Sequence, residues 1–249
     1  MSQSENQNDK QKDSALSENV KSFFYALMIA LVIRTLMFQP FSIPSGSMLP
    51  TLLIGDYLFV SKTAYGYSRH SIPFSLPLFS GRVFSGQIER GDVAVFKLPR
   101  DGRTDYIKRV VGLPGDRIQM KSGQLFINGT PVARKVLDVM PEGAPAGATA
   151  YLETLPNGVS HITLDMGYKP IVDNTGEYRV PAGHYFVMGD NRDNSQDSRF
   201  LRAVGYIPYE NFVGKANVKF YSFDDQTRFW EIWKYPSAIR WHRLFRGIE

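Results

Sequence analysis

Two short runs hold the residues best suited to covalent chemistry. Ser47 lies in Pro44-Ser45-Gly46-Ser47-Met48-Leu49-Pro50-Thr51, and Lys108 in Asp105-Tyr106-Ile107-Lys108-Arg109-Val110-Val111-Gly112. A serine hydroxyl is a weak nucleophile near neutral pH and needs a neighbouring base to take its proton. A lysine is such a base only as the neutral amine, so burial must bring its pKa down from roughly 10.4. Tyr106, Ile107, Val110 and Val111 flank Lys108 with apolar surface of the kind required. A third run, Gly189-Asp190-Asn191-Arg192-Asp193-Asn194-Ser195-Gln196-Asp197-Ser198-Arg199, is rich in short polar side chains. Read as a calcium loop from Asp193, it has Ser198 where glycine is required and Val204 where a bidentate glutamate is required, so that reading fails. No Gly-x-Ser-x-Gly elbow occurs. No histidine lies in any of the three runs, so a Ser-His-Asp triad would have to be built from unrelated loops.

Together and in this order, the three runs resemble the motifs of bacterial type I signal peptidases, or leader peptidases. These are membrane-anchored Ser/Lys proteases that remove signal peptides from exported preproteins. The resemblance extends from about Arg34 to Phe220. It implies Ser47 as nucleophile, Lys108 as general base, and an oxyanion hole made by the Ser45 hydroxyl and the Ser47 N–H. It also implies that Ser195 hydrogen-bonds the Lys108 nitrogen and orients it. Asp197 with Arg199, and Arg109 with Asp190, are expected to form structural ion pairs. Phe41, Ile43, Met48, Leu52, Leu58, Val95, Tyr106 and Ile107 match family positions lining two small apolar pockets, which favour Ala one and three residues before the cut. The backbones of Ser42-Ile43-Pro44-Ser45 and Asp105-Tyr106-Ile107 are expected to receive the substrate as an added strand. Ser42 departs from members that carry a longer polar residue there. Two other readings stay open: a self-cleaving repressor with a related catalytic domain, and a tethered β domain that binds peptides without cutting them. The first should carry a DNA-binding helical domain where this chain has an apolar segment.

Composition narrows the choices. The 249 residues suffice for one large domain or two small ones, and no cysteine is present for disulfides, thiolate ligands or a thiol nucleophile. The four histidines, His70, His161, His184 and His242, have no metal-site spacing and read as ordinary surface or partly buried residues. No metal or other cofactor is expected. A formal charge of +5 without a nucleic-acid fold motif points to a phospholipid membrane rather than nucleic acid.

The elements that must position these residues fall into two kinds. Ser22 to Phe38 is apolar except for Arg34 and Thr35, and as a helix it spans about 26 Å, close to a hydrocarbon core. No small-x-small cleavage site follows it, which favours an uncleaved anchor. Lys10, Lys12 and Lys21 precede the segment and no Lys or Arg occurs from Thr35 to Ser61, placing the N-terminus in the cytoplasm and the rest on the outer, periplasmic face. Beyond it come short apolar runs separated by Gly, Pro, Asn and Asp, read as antiparallel strands and turns. The expected architecture is therefore mainly β: a disordered tail (1–19), a transmembrane helix (20–39), and an antiparallel catalytic domain (40–115 and 183–249). By the resemblance, a smaller β domain (116–182) is inserted in the last. Tyr65 to Ile88, with Phe74, Leu76, Leu78 and Phe79, reads as a loop that either dips into the membrane interface or packs on its own core. The Trp- and Arg-rich stretch from Arg228 through Arg246 leaves the same choice.

Overall fold

The computed structural model describes residues 2–72, 75, 80–167, 169–224 and 232–248, with side chains from residue 18 onward except 35. The fold is mainly antiparallel β. Strands β1 (Phe38–Ser42) and β2 (Asp56–Ser61) open the principal sheet, and β3 (Tyr67–Ser68) with β4 (Arg82–Val83) forms a small separate pair. β5 (Val93–Lys97) and β6 (Asp105–Gly112) return to the principal sheet. β7 (Arg117–Lys121), β8 (Gln124–Ile127) and β9 (Thr130–Pro131) form a second sheet, which β13 (Tyr178–Arg179) joins; β10 (Ala133–Val136), β11 (Thr149–Thr154) and β12 (Ser160–Asp165) form a third. β14 (His184–Met188), β15 (Ile207–Pro208), β16 (Phe212–Ser222) and β17 (Arg246–Gly247) complete the principal sheet, whose order is β1-β2-β16-β5-β6-β14-β15 with β17 on β16. Every strand between 116 and 182 thus lies outside the principal sheet.

Strand alternation explains the composition of β5 and β6. Successive side chains leave opposite faces. Ala94, Phe96 and Val110 join Tyr65, Val187 and Phe212 on one side, while Val93, Val95 and Ile107 join Met48, Leu52, Leu58 and Val60 on the other. Both faces are covered, so the strands read as continuous apolar runs. Val111, Phe186 and Met188 pack with Ile118, Met120, Leu125 and Val180, joining the second sheet to the first through one hydrophobic cluster. Asn128 and Gly129, both at positive φ, make the two-residue turn that sets Ile127 opposite Thr130.

At the N-terminus the helix α1 covers Ser2–Leu36 and β1 begins at Phe38. This corrects two expectations. Residues 1–19 were expected to be disordered, but the backbone is helical from Ser2. Glu, Gln and Lys are good helix formers, and extending a helix already nucleated costs far less than starting one. The helix also stops short of residue 39, because Phe38 and Gln39 pair with Ser61 and Val60 in the sheet. The helix end is fixed by the Tyr67 hydroxyl, which donates to the Leu36 carbonyl, and by Lys62 N–H bonding the Met37 carbonyl at 3.0 Å. Phe23, Tyr25, Ile29 and Leu31 are all exposed. Among the described residues, no helix is long and apolar enough to cross a membrane.

Phe74, Leu76, Leu78 and Phe79 lie outside the described residues, as do Arg228 to Glu231. Beyond these, a short helix α2 (Pro170–Asp173) precedes β13 and another, α3 (Tyr235–Ala238), follows β16; Trp233 and Trp241 near the latter are exposed.

One detail of the pairing matters for the site. β14 pairs with β6 only between Arg109 and Gly112, so from Asp105 to Lys108 that edge of β6 has no strand beside it among the described residues. β1 is the edge strand at the other end of the sheet order, and its open side continues into Ile43 and Pro44.

Candidate active site

Ser47 sits in a three-residue 3-10 turn, Gly46–Met48, reached from an extended Ser45 (φ −133°, ψ 151°). Met48, 1% exposed, is driven into the core beside Leu52 and Leu58 and fixes the turn. In the first turn of such a short helix the Ser47 N–H has no intrahelical partner. The Ser45 and Ser47 hydroxyl oxygens are 3.4 Å apart. The turn brings them together. Ser45 is exposed while Ser47 is buried.

Lys108 is opposite Ala94 in the β5–β6 register, on the face of the sheet that carries Phe96 and Val110. Its Nζ donates to Ser47 Oγ at 2.7 Å and to the Ile107 carbonyl at 2.9 Å. The Tyr106 ring centre lies 5.4 Å from the same nitrogen. Burial strips hydration from the ammonium and brings the pKa from 10.5 to about 8, against the pull of the Asp197 and Asp190 carboxylates.

The third run wraps behind this pair. The Asn191 N–H bonds the Ser47 carbonyl at 3.2 Å and its side-chain amide bonds the Gly46 carbonyl at 3.0 Å. A Cβ on Gly189 would fall 2.4 Å from the Ser47 carbonyl oxygen and 2.3 Å from Ser195 Oγ, so only glycine allows this approach. Arg109 forks onto Asp190 (2.9 and 2.8 Å) and Arg199 onto Asp197 (2.9 Å twice), all four residues being buried. Burial alone would raise both carboxyls, but the facing guanidinium of each pair and added hydrogen bonds hold them below the usual range.

The structure does not reproduce the expected bond from Ser195 to Lys108. The two bonds of Lys108 go to Ser47 and Ile107. The Ser195 hydroxyl is buried without a well-formed hydrogen bond, although it leans towards Asp197 and helps keep that carboxylate ionised. Both Asp197 oxygens already accept from Gly189 N and Arg199.

A cleft of about 500 Å³ opens onto Ser47 and Lys108. Phe41, Ile43, Pro44, Val95, Asp105, Tyr106 and Ile107 line it, between the open edge of β6 and the extension of β1. Met48, Leu52 and Leu58 do not. They are at most 1% exposed and form the core beneath. Asn194 and Gln196 line the cleft without having been anticipated, and Gln196 Oε1 accepts from the Tyr106 hydroxyl at 3.0 Å.

A buried ionic group was also missed. Glu153 of β11 forks onto Arg192 (2.8 and 2.5 Å), and His161 of β12 lies 3.5 Å from Glu153 and 3.9 Å from Asp190. His161 is thus no surface histidine; burial and the Arg109 charge keep it neutral down to about pH 4. Pairs so distant in sequence leave no local signal. Glu153 and His161 are direct cross-strand partners in β11 and β12. Among the described residues, no group of three or more His, Cys, Asp or Glu side chains could hold a metal ion.

Comparison with known proteins places this geometry in context. The family model described as signal peptidase, peptidase S26, matches residues 16–221. A signal peptidase I of Rickettsia typhi is 39% identical over 98% of both chains, and that of Rickettsia prowazekii 38% identical over 98% of both. A crystal structure of a signal peptidase I from Enterococcus faecalis is 27% identical, spanning 52% of this chain and 96% of its own, with a TM-score of 0.31.

Proposed function

Because the chain belongs to the signal peptidase family, peptidase S26, and is therefore a serine peptidase, we propose that it cleaves N-terminal signal peptides from exported preproteins with Ser47 and Lys108 as its catalytic pair. The observation that carries this reading is the 2.7 Å contact between Lys108 Nζ and Ser47 Oγ at a cleft mouth where burial lowers the lysine pKa. With Lys108 neutral, the contact reverses: the Ser47 hydroxyl donates to the amine and Oγ attacks the scissile carbonyl. The oxyanion is received by the Ser47 N–H and the Ser45 hydroxyl. Lys108, now protonated, returns the proton to the leaving amine, and water then hydrolyses the Ser47 ester with the same lysine as base.

The substrate lies extended along the open β6 edge, with Asp105, Tyr106 and Ile107 on one side and Phe41, Ile43 and Pro44 on the other. The shallow apolar floor, with Val95 and Ile43, suits small residues and supports an Ala-x-Ala site. Ser195 serves by supporting Asp197, and Arg109, Asp190, Asp197 and Arg199 hold the loop. Residues 116–182 act as a smaller β domain inserted into the catalytic one. The exposed apolar side chains of α1 and the preceding lysines support a single-pass anchor in the bacterial inner membrane with the catalytic domain outside. The test is incubation of the detergent-solubilised protein with a preprotein bearing an Ala-x-Ala site. The expected result is one cut after the second Ala by wild type and none by Ser47→Ala; equal cutting by both removes the assignment.

A further inference from the structure

The Gly189–Arg199 loop gives the cleft one side chain that the reaction does not use, Gln196. Gln196 is exposed, and its Oε1 accepts from the Tyr106 hydroxyl at 3.0 Å, a contact between residues 90 apart in sequence. Tyr106 is itself held, with its ring centre 6.1 Å from that of Phe96. The bond orients the amide: the oxygen faces Tyr106, and the NH2 group, which has two donors, bonds no protein group among the described residues. An aimed donor thus stands at the cleft.

Strand geometry says which substrate residue meets it. β1 and β6 run in the same direction, because four antiparallel steps, through β2, β16 and β5, separate them. Both walls of the cleft therefore advance towards Ser47 and Lys108. In the proposed reaction a signal peptide lies between them as an added strand and presents its scissile bond at that end. Its side chains alternate between the two faces. One face is apolar, with Ile43, Val95 and Ile107, and takes the residues one and three before the cut. The residue between those two points to the opposite face. Tyr106 leaves β6 on that face, being next to Ile107, and Gln196 bonds its hydroxyl there. The other polar groups of the cleft lie elsewhere. Asp105 shares the face of Ile107 and is bound to Lys97 at 2.9 Å. The Asn194 amide nitrogen is 3.8 Å from where a Gly46 Cβ would stand, beside the nucleophile turn.

We propose that Gln196 reads the middle residue of the Ala-x-Ala site and favours a side chain there that accepts a hydrogen bond, such as glutamine; this rests on the peptidase reading given above. The experiment measures kcat/KM of the full chain in detergent on peptides that differ only at x, carrying glutamine, norleucine or lysine. Norleucine is about as long as glutamine but cannot accept. Ratios between peptides on one enzyme cancel any change in Lys108 or in the folded fraction. Wild type should cut the glutamine peptide about 5-fold faster than the norleucine peptide, the worth of one neutral hydrogen bond. Gln196→Leu should bring that ratio to about 1. Gln196→Glu, which exchanges the donor for a carboxylate, should raise the lysine-to-norleucine ratio about 5-fold above that of wild type. A glutamine-to-norleucine ratio near 1 in wild type, a ratio that Gln196→Leu leaves unchanged, or the same preference at the residue after the cut instead of at x overturns the assignment. Cutting that ignores x removes this proposal alone, whereas no cutting by wild type at any x removes the peptidase reading with it.

Discussion

Tyr106→Glu tests the idea that Lys108 works because its charge is poorly solvated. The Tyr106 ring centre is 5.4 Å from Lys108 Nζ, and a glutamate in its place puts a carboxylate at about that distance. Two unit charges so separated attract by about 3 kcal/mol at an effective dielectric constant of 20, equivalent to about 2 pKa units. Tyr106 is only half-buried at the cleft, so water screens roughly half of this and leaves about 1 unit. The lysine pKa then moves from about 8 to higher pH. At pH 7 the neutral fraction falls from about a tenth to about a hundredth, which lowers kcat/KM about 10-fold beyond any loss of substrate contacts. The assay is kcat/KM against pH on an Ala-x-Ala peptide, with Tyr106→Gln as the uncharged control. Wild type should show a rising limb near pH 8, the control should keep it, and the glutamate variant should move it upward. A limb that stays put in Tyr106→Glu, or one near pH 10 in wild type, refutes a buried Lys108 as the base.

Three further outcomes are expected. Ser47→Ala and Lys108→Ala should each abolish cleavage while Tm and circular dichroism stay near wild type, since neither half of a nucleophile–base unit works alone; residual activity near wild type in either dismisses the pairing. Ser45→Ala should lower kcat by about 10²–10³-fold with KM little changed, the cost of one oxyanion donor; an effect on KM alone makes Ser45 a substrate contact. Gly189→Ala should cost about 1–3 kcal/mol in urea unfolding and most of the activity, because its Cβ would overlap the Ser47 carbonyl; a fully active, equally stable variant contradicts the close packing.

The sequence revealed the chemistry more readily than its support. Ser47 and Lys108 stand in unusual local contexts, and Arg109 beside Lys108 and Asp190 beside Gly189 have complementary charges, so their pairing was legible. Met48, Leu52 and Leu58 were not separable from cleft residues, because an apolar side chain near a nucleophile looks the same whether it lines a pocket or lies beneath it. The register decides, and it depends on how the 3-10 turn directs Met48. Ser195 illustrates a related limit: a hydroxyl near a lysine in a motif does not tell which partner it takes, and here Lys108 bonds Ser47 and Ile107 instead. Glu153 of β11 meets Arg192 of the Gly189–Arg199 loop, and nothing local in either segment foretells that contact. The helical state of residues 2–19 was hidden by composition, since the same polar residues suit a solvated helix as well as a coil.

The clamp of Asn191 on the Gly46 and Ser47 carbonyls has a consequence in time. A ribosome delivers Ser47 first, Lys108 later and Asn191 last, and at about 5–20 residues per second the final interval lasts several seconds. Until the Gly189–Arg199 loop arrives, nothing holds the nucleophile turn from behind and nothing closes the wall that dries Lys108. A half-made chain therefore carries both reactive groups yet is no protease.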